Sequence, residues 1–299
     1  MKDRTMSTLA EAICFKLAKA RVLKRQEGAA GERSATFDPA AYQAWRKSEL
    51  QEQFAAHFSE ADVRGKDVVD FGCGGGELSF LAAGMGAKSV LGLEVDRERY
   101  EMACAAAGRL DLPVTPTFQH SPDTATVDRP DSSCDVILCF DVLEHILDYR
   151  TIIPEWHRIL RPGGHVLIWW MPYYHPWGHH VESLVPLPWV HAAFSDRTVI
   201  NTCAAIYDMP EFRPRIWDLD DTGKKKPNKW RTMDRLPTLN KLTIRSFEDI
   251  CRGLGFSFDR KEYHPISSSG LARKVSKALI SLPPTREYFT SVAIYDLRK

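Results

Sequence analysis

The chain of 299 residues lacks features that would mark it for a membrane, an oxidising compartment or a nucleic acid. It has no run of about 18 or more uncharged apolar residues, so no membrane-spanning helix is expected. Its seven cysteines include no C-x-x-C pair and their number is odd, which favours a reducing compartment. Lys and Arg total 40 against 39 Asp and Glu, whereas nucleic-acid binders are usually more basic. These absences predict a cytoplasmic protein without a nucleic-acid partner.

The N-terminal segment also lacks the continuous apolar middle of a secretory signal, because Glu11 and Lys16 interrupt it. Residues 7–26 have the pattern of a basic amphipathic helix. Its predicted apolar stripe consists of Leu9, Ile13, Leu17 and Ala20. We expect a solvated cap helix, with peripheral contact to a membrane surface as the alternative. The pattern indicates no oligomeric state.

From Lys66 onward, short strands alternate with helices, a pattern typical of crossover units on a parallel sheet. The predicted strands cover residues 68–71, 89–94, 114–118, 135–140 and 165–170. The predicted helices between them cover residues 77–86, 97–110 and 147–160. Two further strands, 256–263 and 288–297, are separated by an irregular segment, 267–285, which favours an antiparallel last strand.

Changes in composition divide the chain into predicted parts. Residues 1–60 form a helical cap, and residues 61–170 form the cofactor-binding core. Residues 171–243 are rich in Pro, Trp, Tyr and His and form an insertion or lid after strand five. Residues 244–299 complete the sheet with strands six and seven.

A glycine-rich turn follows the first predicted strand in the sequence VVDFGCGGG, residues 68–76. Such a turn lets the backbone approach a ligand at a helix N-terminus, and nicotinamide, flavin and methyl-donor proteins all use it. Glu77 stands where the dinucleotide fingerprint needs its third glycine, and Asp70 suits a cationic ligand better than a diphosphate. Glu94 ends the second strand, where an acid can bind a ribose diol. Together these residues indicate a nucleoside without a pyrophosphate.

Four segments resemble successive motifs of class I S-adenosylmethionine-dependent methyltransferases: VVDFGCGGG, LGLEVD, CDVILCFDVLEHI and ILRPGGHVLI. The resemblance covers residues 60–170 well and the rest loosely. It implies a doubly wound, Rossmann-like α/β fold with a seven-stranded mixed sheet whose last strand is antiparallel. S-adenosylmethionine would bind outside the strand ends and leave as S-adenosylhomocysteine.

The resemblance carries a set of cofactor contacts over to this chain. Asp70, Gly72 and Gly74 would face the methionine part of the cofactor. Glu94 would bind the ribose hydroxyls, and Asp123 would read the adenine amino group, although its surroundings depart from the usual Gly-Asp-Ala/Val pattern. The segment from Cys139 to Asp141 would close the pocket below the sulfonium. The full set is Asp70, Gly72, Cys73, Gly74, Glu94, Val95, Asp123, Thr124, Cys139 and Phe140.

His145 and Asp141 are the predicted catalytic residues. Methyl transfer is an in-line displacement, so the enzyme aligns a nucleophile and, for a hydroxyl, helps to remove its proton. An imidazole can accept a proton at neutral pH. His145 follows Asp141 by four residues, and a helical turn after strand four would bring both to one face. The alternative is a histidine that only braces the loop.

Aromatic residues and histidines at the start of the insertion suit a concave, largely apolar acceptor wall. The predicted substrate contacts are Tyr42, Trp170, Tyr173, Tyr174, His175 and His179. No metal is predicted, because no carboxylate or cysteine accompanies the insertion histidines at ligand spacing.

The predicted function is methylation of a hydroxyl on a small or medium organic acceptor. Methylation of nitrogen or carbon stays open, as does a relative that retains the cofactor but catalyses a rearrangement or cyclisation. A binding protein with a vestigial site is a further alternative. Phe140 to Leu143 stand where methyltransferases of planar amino groups carry an Asn/Asp-Pro-Pro-Tyr motif, which disfavours nucleic-acid methylation.

Overall fold

The computed structural model describes residues 8–28, 39–122, 127–215, 218–220, 222–233, 236 and 239–299, with only the backbone of 27–28 and 39–43. The chain divides into two compact units. Unit 1 consists of Met1–Pro39 and Tyr173–Leu239, and unit 2 consists of Ala40–Pro172 and Asn240–Lys299. The predicted cap of residues 1–60 is therefore split between the units.

The helices of the described residues, in chain order, are α1 Leu9–Gly28, α2 Pro39–His57, α3 Glu77–Gly84, α4 Arg97–Ala107, α5 Tyr149–Ile159, α6 Val190–Ala193, α7 Asp196–Asp208, α8 Ile244–Gly253, α9 Gly270–Ser281 and α10 Pro283–Phe289. The strands are β1 Asp67–Phe71, β2 Ser89–Glu94, β3 Thr117–His120, β4 Cys134–Phe140, β5 Leu160–Trp170, β6 Ser257–Pro265 and β7 Thr290–Arg298. Helices α1, α6 and α7 belong to unit 1, and all of the strands belong to unit 2.

The strands form one seven-stranded sheet in the order β3-β2-β1-β4-β5-β7-β6. β7 is antiparallel to β5 and β6, and the remaining pairs are parallel. Every residue of β1 is buried, as expected for a parallel strand covered on both faces. This arrangement confirms the predicted doubly wound α/β fold with an antiparallel last strand.

Three segments of unit 2 differ from the sequence prediction. The third strand begins at Thr117 instead of residue 114, and the fifth begins at Leu160 instead of residue 165. The segment predicted to be irregular, 267–285, contains α9 and the start of α10. α9 does carry apolar residues at helical spacing, Leu271 and Val275 among them, but these two are exposed, and its buried residues are Ser276 and Ile280.

Unit 1 contains helices where the sequence indicated irregular structure, and its α1 packs against α7. The buried face of α1 carries Cys14, Ala18 and Val22, whose small side chains permit close packing of the two helices. The predicted apolar stripe is solvent-exposed, with Leu9 at 77%, Ile13 at 45% and Leu17 at 49% exposure. The buried stripe is thus displaced by about one residue from the predicted one. Among the described residues, no helix is both long and apolar enough to cross a membrane.

Candidate functional site

A cleft lies in unit 2 at the carboxyl ends of β1, β2 and β4, where the strand order of the sheet reverses between β1 and β4. Open α/β sheets bind ligands at such a switch point. The cleft has two adjoining parts of about 370 and about 120 Å³. The residues that line both parts are Gly72, Arg99, Asp141 and Val142.

The two parts differ in their walls. The larger part, named the apolar half, has mostly hydrocarbon walls, which include Phe71, Leu93, Val127, Ile146, Leu147 and Ile152. The smaller part, named the charged half, is lined by the ionisable residues Arg46, Asp70, Glu77, Arg99 and Asp141. The charged half lies against the glycine-rich turn, and the apolar half extends toward the ends of β2 and the turn after β4.

The glycine-rich turn needs glycine at Gly72. This residue has φ +75°, and a Cβ placed on it would lie 2.6 Å from a methyl carbon of Val142. The amides of Gly72 and Cys73 both donate to the carbonyl oxygen of Leu93, which ties the turn to the end of β2. α3 then begins at Glu77, so its first amides face the charged half. The backbone of Gly72 is therefore open to a ligand from both halves.

Glu94 is buried, and its carboxylate accepts three backbone hydrogen bonds. Oε2 accepts from the Gly74 amide at 2.8 Å, and Oε1 accepts from the amides of Val95 and Asp96 at 2.8 Å each. A carboxylate has about four acceptor positions, so about one is left for a ligand. Glu94 thus fixes two turns of the cleft and keeps about one acceptor position for a ligand hydroxyl.

Asp70 lies fully buried at the floor of the charged half, where Ser79 Oγ donates to its Oδ2 at 2.6 Å. Burial, with smaller contributions from Glu77 and Glu94, raises the pKa of Asp70 to about 7, although the Ser79 hydrogen bond opposes the shift. Burial also raises the pKa of Glu77. A ligand cation would relieve this crowding of desolvated carboxyl groups.

Arg46 was missed by the sequence analysis. It reaches the charged half from α2, and its Nη2 lies 2.7 Å from Asp141 Oδ2 and its Nη1 2.8 Å from Glu49 Oε2. Asp141 has φ 58°, a conformation that non-glycine residues rarely adopt. Strained residues of this kind cluster at functional sites.

His145 lies on a 3₁₀ turn, Leu143–His145, and lines the apolar half with Asp141. A short helical turn after strand four therefore brings both predicted catalytic residues to one cleft. Asn240, which the sequence did not single out, holds this turn: its Nδ2 donates to the carbonyl oxygens of Leu143 at 2.6 Å and Ile146 at 2.9 Å. Burial and the nearby Asp141 raise the pKa of Glu144 well above its ordinary value.

Two of the predicted contacts are core residues instead. Cys139 is fully buried in the hydrophobic core and lines neither half. Because successive strand residues point to opposite faces, its neighbour Phe140 lines the charged half while Cys139 points away. Trp170 is also fully buried, with its ring 5.5 Å from that of Phe247. The remaining predicted cofactor contacts line the cleft: Asp70, Gly72, Cys73, Gly74, Glu94, Val95 and Phe140. Asp123, Thr124 and the side chain of Tyr42 lie outside the described residues.

The other predicted substrate contacts belong to unit 1. Tyr173 packs against Tyr174 and His191, with ring centroids 5.2 and 4.7 Å apart. Burial lowers the pKa of both His175 and His179 to about 3, so their imidazoles are neutral. Their role at an acceptor stays a prediction.

A doubly wound sheet with an antiparallel last strand and a cleft at its switch point defines a class I methyltransferase fold. The chain belongs to the methyltransferase domain family, which it matches over residues 42–201. Family and fold together confirm the predicted class of S-adenosylmethionine-dependent methyltransferases.

Curated relatives match over the core of the chain. The chain is 36% identical over 106 residues to a ubiquinone biosynthesis O-methyltransferase from Psychrobacter arcticus, covering 36% of this chain and 41% of that relative. It is 37% identical over 102 residues to one from Proteus mirabilis, covering 34% and 40%. The chain thus spans about two-fifths of the length of these relatives. In fold it is similar to magnesium protoporphyrin IX methyltransferase from Synechocystis, solved with bound SAH, with a TM-score of 0.50 and 15% identity over 97% of this chain and 99% of that one.

Proposed function

We propose that the protein transfers the methyl group of S-adenosylmethionine to a hydroxyl oxygen of a small or medium organic acceptor, with His145 as general base. The observation that carries the proposal is the cleft itself, in which a charged half, an apolar half and His145 share lining residues. The names of the relatives from Psychrobacter and Proteus support oxygen as the acceptor atom, since both are O-methyltransferases.

The charged half fits the methionine end of the cofactor. Its buried carboxyl groups, Asp70 and Glu77, suit the ammonium and sulfonium charges, and the guanidinium of Arg46 suits the carboxylate. When bound, S-adenosylmethionine supplies a methyl group that the sulfonium has already activated. The protein therefore has only to orient the donor and acceptor and to remove a proton.

The apolar half fits the adenosine end. Its hydrocarbon walls can bury a planar ring, and the last acceptor position of Glu94 can receive one ribose hydroxyl. As part of this proposal, Asp123 keeps its predicted role at the adenine and Thr124 its predicted role as a cofactor contact.

His145 accepts the proton of the acceptor hydroxyl at a ring nitrogen. The side chain is exposed at the end of its turn and lines the cleft, so a substrate can reach it. Asp141 is paired with Arg46 and sets the geometry at the start of the turn. Asn240 holds the turn through two side-chain hydrogen bonds, one to Leu143 at its start and one to Ile146 directly after it.

The decisive experiment measures S-adenosylhomocysteine formation with catechol and with its amine counterpart, ortho-phenylenediamine. Catechol is the probe because an aromatic hydroxyl loses its proton more readily than an alkyl one. We expect turnover with catechol and little with the diamine. His145→Ala should lower kcat about 100-fold, the usual contribution of a general base, and added imidazole should restore part of it.

His157→Ala is the matched control, since His157 packs against Phe256 and does not line the cleft. Its kcat should equal that of the wild type. Unchanged turnover in His145→Ala would end the base assignment. If the protein binds the cofactor but forms no S-adenosylhomocysteine with either probe, the non-methylating alternative is favoured. Turnover with the diamine alone would favour nitrogen as the acceptor atom.

A further inference from the structure

Three metal-ligating side chains converge in unit 2 among residues that do not line the cleft. They are His57 at the end of α2 and Glu262 and His264 on β6. Their potential ligand atoms all lie within 4.8 Å of one another. Glu262 and His264 are two residues apart on a strand, so both point to the same face of the sheet. The end of α2 supplies the third donor to that face.

The separations within this cluster are longer than those of hydrogen-bonded pairs. His57 Nδ1 lies 3.7 Å from Glu262 Oε2, and His264 Nε2 lies 3.4 Å from the same oxygen. By contrast, the hydrogen-bonded pair of His165 Nδ1 and Asp296 Oδ1 is 2.6 Å apart. Zinc–nitrogen and zinc–oxygen bonds of about 2.0 to 2.2 Å at a tetrahedral angle place ligand atoms about 3.4 Å apart. Two of the three separations in the cluster are therefore close to those around a shared metal ion, and the two imidazole donors lie within 4.8 Å of each other.

One carboxylate oxygen of the cluster already has a partner outside it. Arg260 Nε lies 3.6 Å from Glu262 Oε1. Oε2, the oxygen that faces both imidazoles, is therefore the single ligand atom that Glu262 offers.

A cavity of about 540 Å³ adjoins the cluster, and both His57 and His264 line it. Its other polar walls come from Arg273, Ser267, Ser268 and Ser291. An ion held by the three side chains would therefore have a coordination position open to this cavity. Three protein ligands with an open fourth position are the arrangement of zinc sites that bind a water or a substrate oxygen.

We propose that His57, Glu262 and His264 bind one divalent transition-metal ion of the zinc type, with a fourth position open to the adjoining cavity. Two imidazoles select zinc, cobalt or copper over magnesium and calcium, which prefer oxygen ligands. The proposal is independent of methyl transfer, because none of the three residues lines either half of the cleft.

The test titrates Zn²⁺ by calorimetry into the chelator-stripped full chain carrying Cys104→Ser, which removes an exposed cysteine. We expect one equivalent to bind, with no competition from Mg²⁺. Glu262→Gln, which keeps the shape of the side chain, and His264→Ala should each weaken binding by at least about 10-fold, the range seen even for supporting residues of metal sites. Thermal unfolding of each variant verifies that it is folded.

His165→Ala is the matched control, since His165 pairs with a carboxylate in the same sheet outside the cluster. It should bind Zn²⁺ as the parent does. Co²⁺ bound to the parent should give the intense visible absorption of a tetrahedral site, a measurement that needs no variant. The proposal is overturned if the parent binds no Zn²⁺, or if Glu262→Gln and His264→Ala bind it as tightly as His165→Ala.

Discussion

The two halves of the cleft differ in size and in the forces available to them. The charged half places three carboxyl groups and two guanidinium groups around about 120 Å³, whereas the apolar half encloses about 370 Å³ with mostly hydrocarbon walls. Charge interactions in a small, water-poor space depend strongly on distance and sign. Apolar burial depends mainly on area. We therefore expect the charged half to orient the cofactor and the apolar half to supply affinity without regard to charge.

The largest expected effect is at Gly72, which belongs to both halves. In Gly72→Ala the new Cβ would overlap Val142 and the residue would be strained at φ +75°. Affinity for S-adenosylhomocysteine and for adenosine should both fall at least about 100-fold, measured by calorimetry. Gly108→Ala is the control, because a Cβ there meets nothing within 4 Å. If Gly72→Ala lost affinity for one ligand only, the halves would not share this turn.

The second effect is confined to the charged half. Asp70→Asn should lower the affinity for S-adenosylmethionine about 10-fold at about pH 8 and leave the affinity for adenosine unchanged, because only S-adenosylmethionine is cationic. Burial raises the pKa of Asp70 to about 7, and a bound cation favours the carboxylate. Affinity of the wild type for S-adenosylmethionine should therefore rise as pH increases through about 7 and then level off. The Asn variant should lose this dependence.

The thermal stability of the protein provides an independent test of the raised pKa of Asp70. A folded-state pKa above the unfolded one means that the contribution of Asp70 to stability is present at low pH and lost as pH rises through about 7. S-adenosylmethionine should thus raise Tm more at about pH 8 than at about pH 6. Asp131→Asn, a change at an exposed acid, is the control. An equal loss of adenosine binding in Asp70→Asn would contradict the division into halves.

The smallest expected effect is confined to the apolar half, where a substitution should affect the cation and the neutral ligand equally. Leu147 is 51% exposed and lines this half, so Leu147→Ala should cost little stability. The affinities for adenosine and for S-adenosylmethionine should fall equally, by about 5-fold, which corresponds to about 1 kcal/mol of lost apolar contact. The pH dependence of binding should not change. Leu110→Ala, at a leucine 43% exposed outside the cleft, should bind both as the wild type does. A larger loss of affinity for S-adenosylmethionine than for adenosine would show that the apolar half also interacts with the charge of the ligand.

The sequence predicted those parts of the site that follow from local signals. Strand ends, the glycine-rich turn and the Asp141 to His145 spacing are encoded within a few residues, and the structure places all of them at one cleft. Arg46 and Asn240 come from distant segments and reach the site only through tertiary packing. No local pattern distinguishes them from surface residues.

Errors in the prediction arose where burial depends on a partner element. The buried face of α1 is set by contact with α7, and the small residues Cys14 and Ala18 carry less hydrophobic signal than the exposed Leu9. Cys139 and Trp170 belong to the core because the pleat and the covering helices, not residue type, decide which side chains face the cleft.

The three hydrogen bonds that Glu94 accepts from backbone amides order the cleft before any ligand arrives. The turns after β1 and β2 are hydrogen-bonded to one carboxylate in the free protein, so neither has to be immobilised by the arriving nucleoside. Ordering loops on association normally reduces affinity and slows the encounter. A preorganised site of this kind should bind its cofactor in a single fast step, with little change in backbone mobility at either turn.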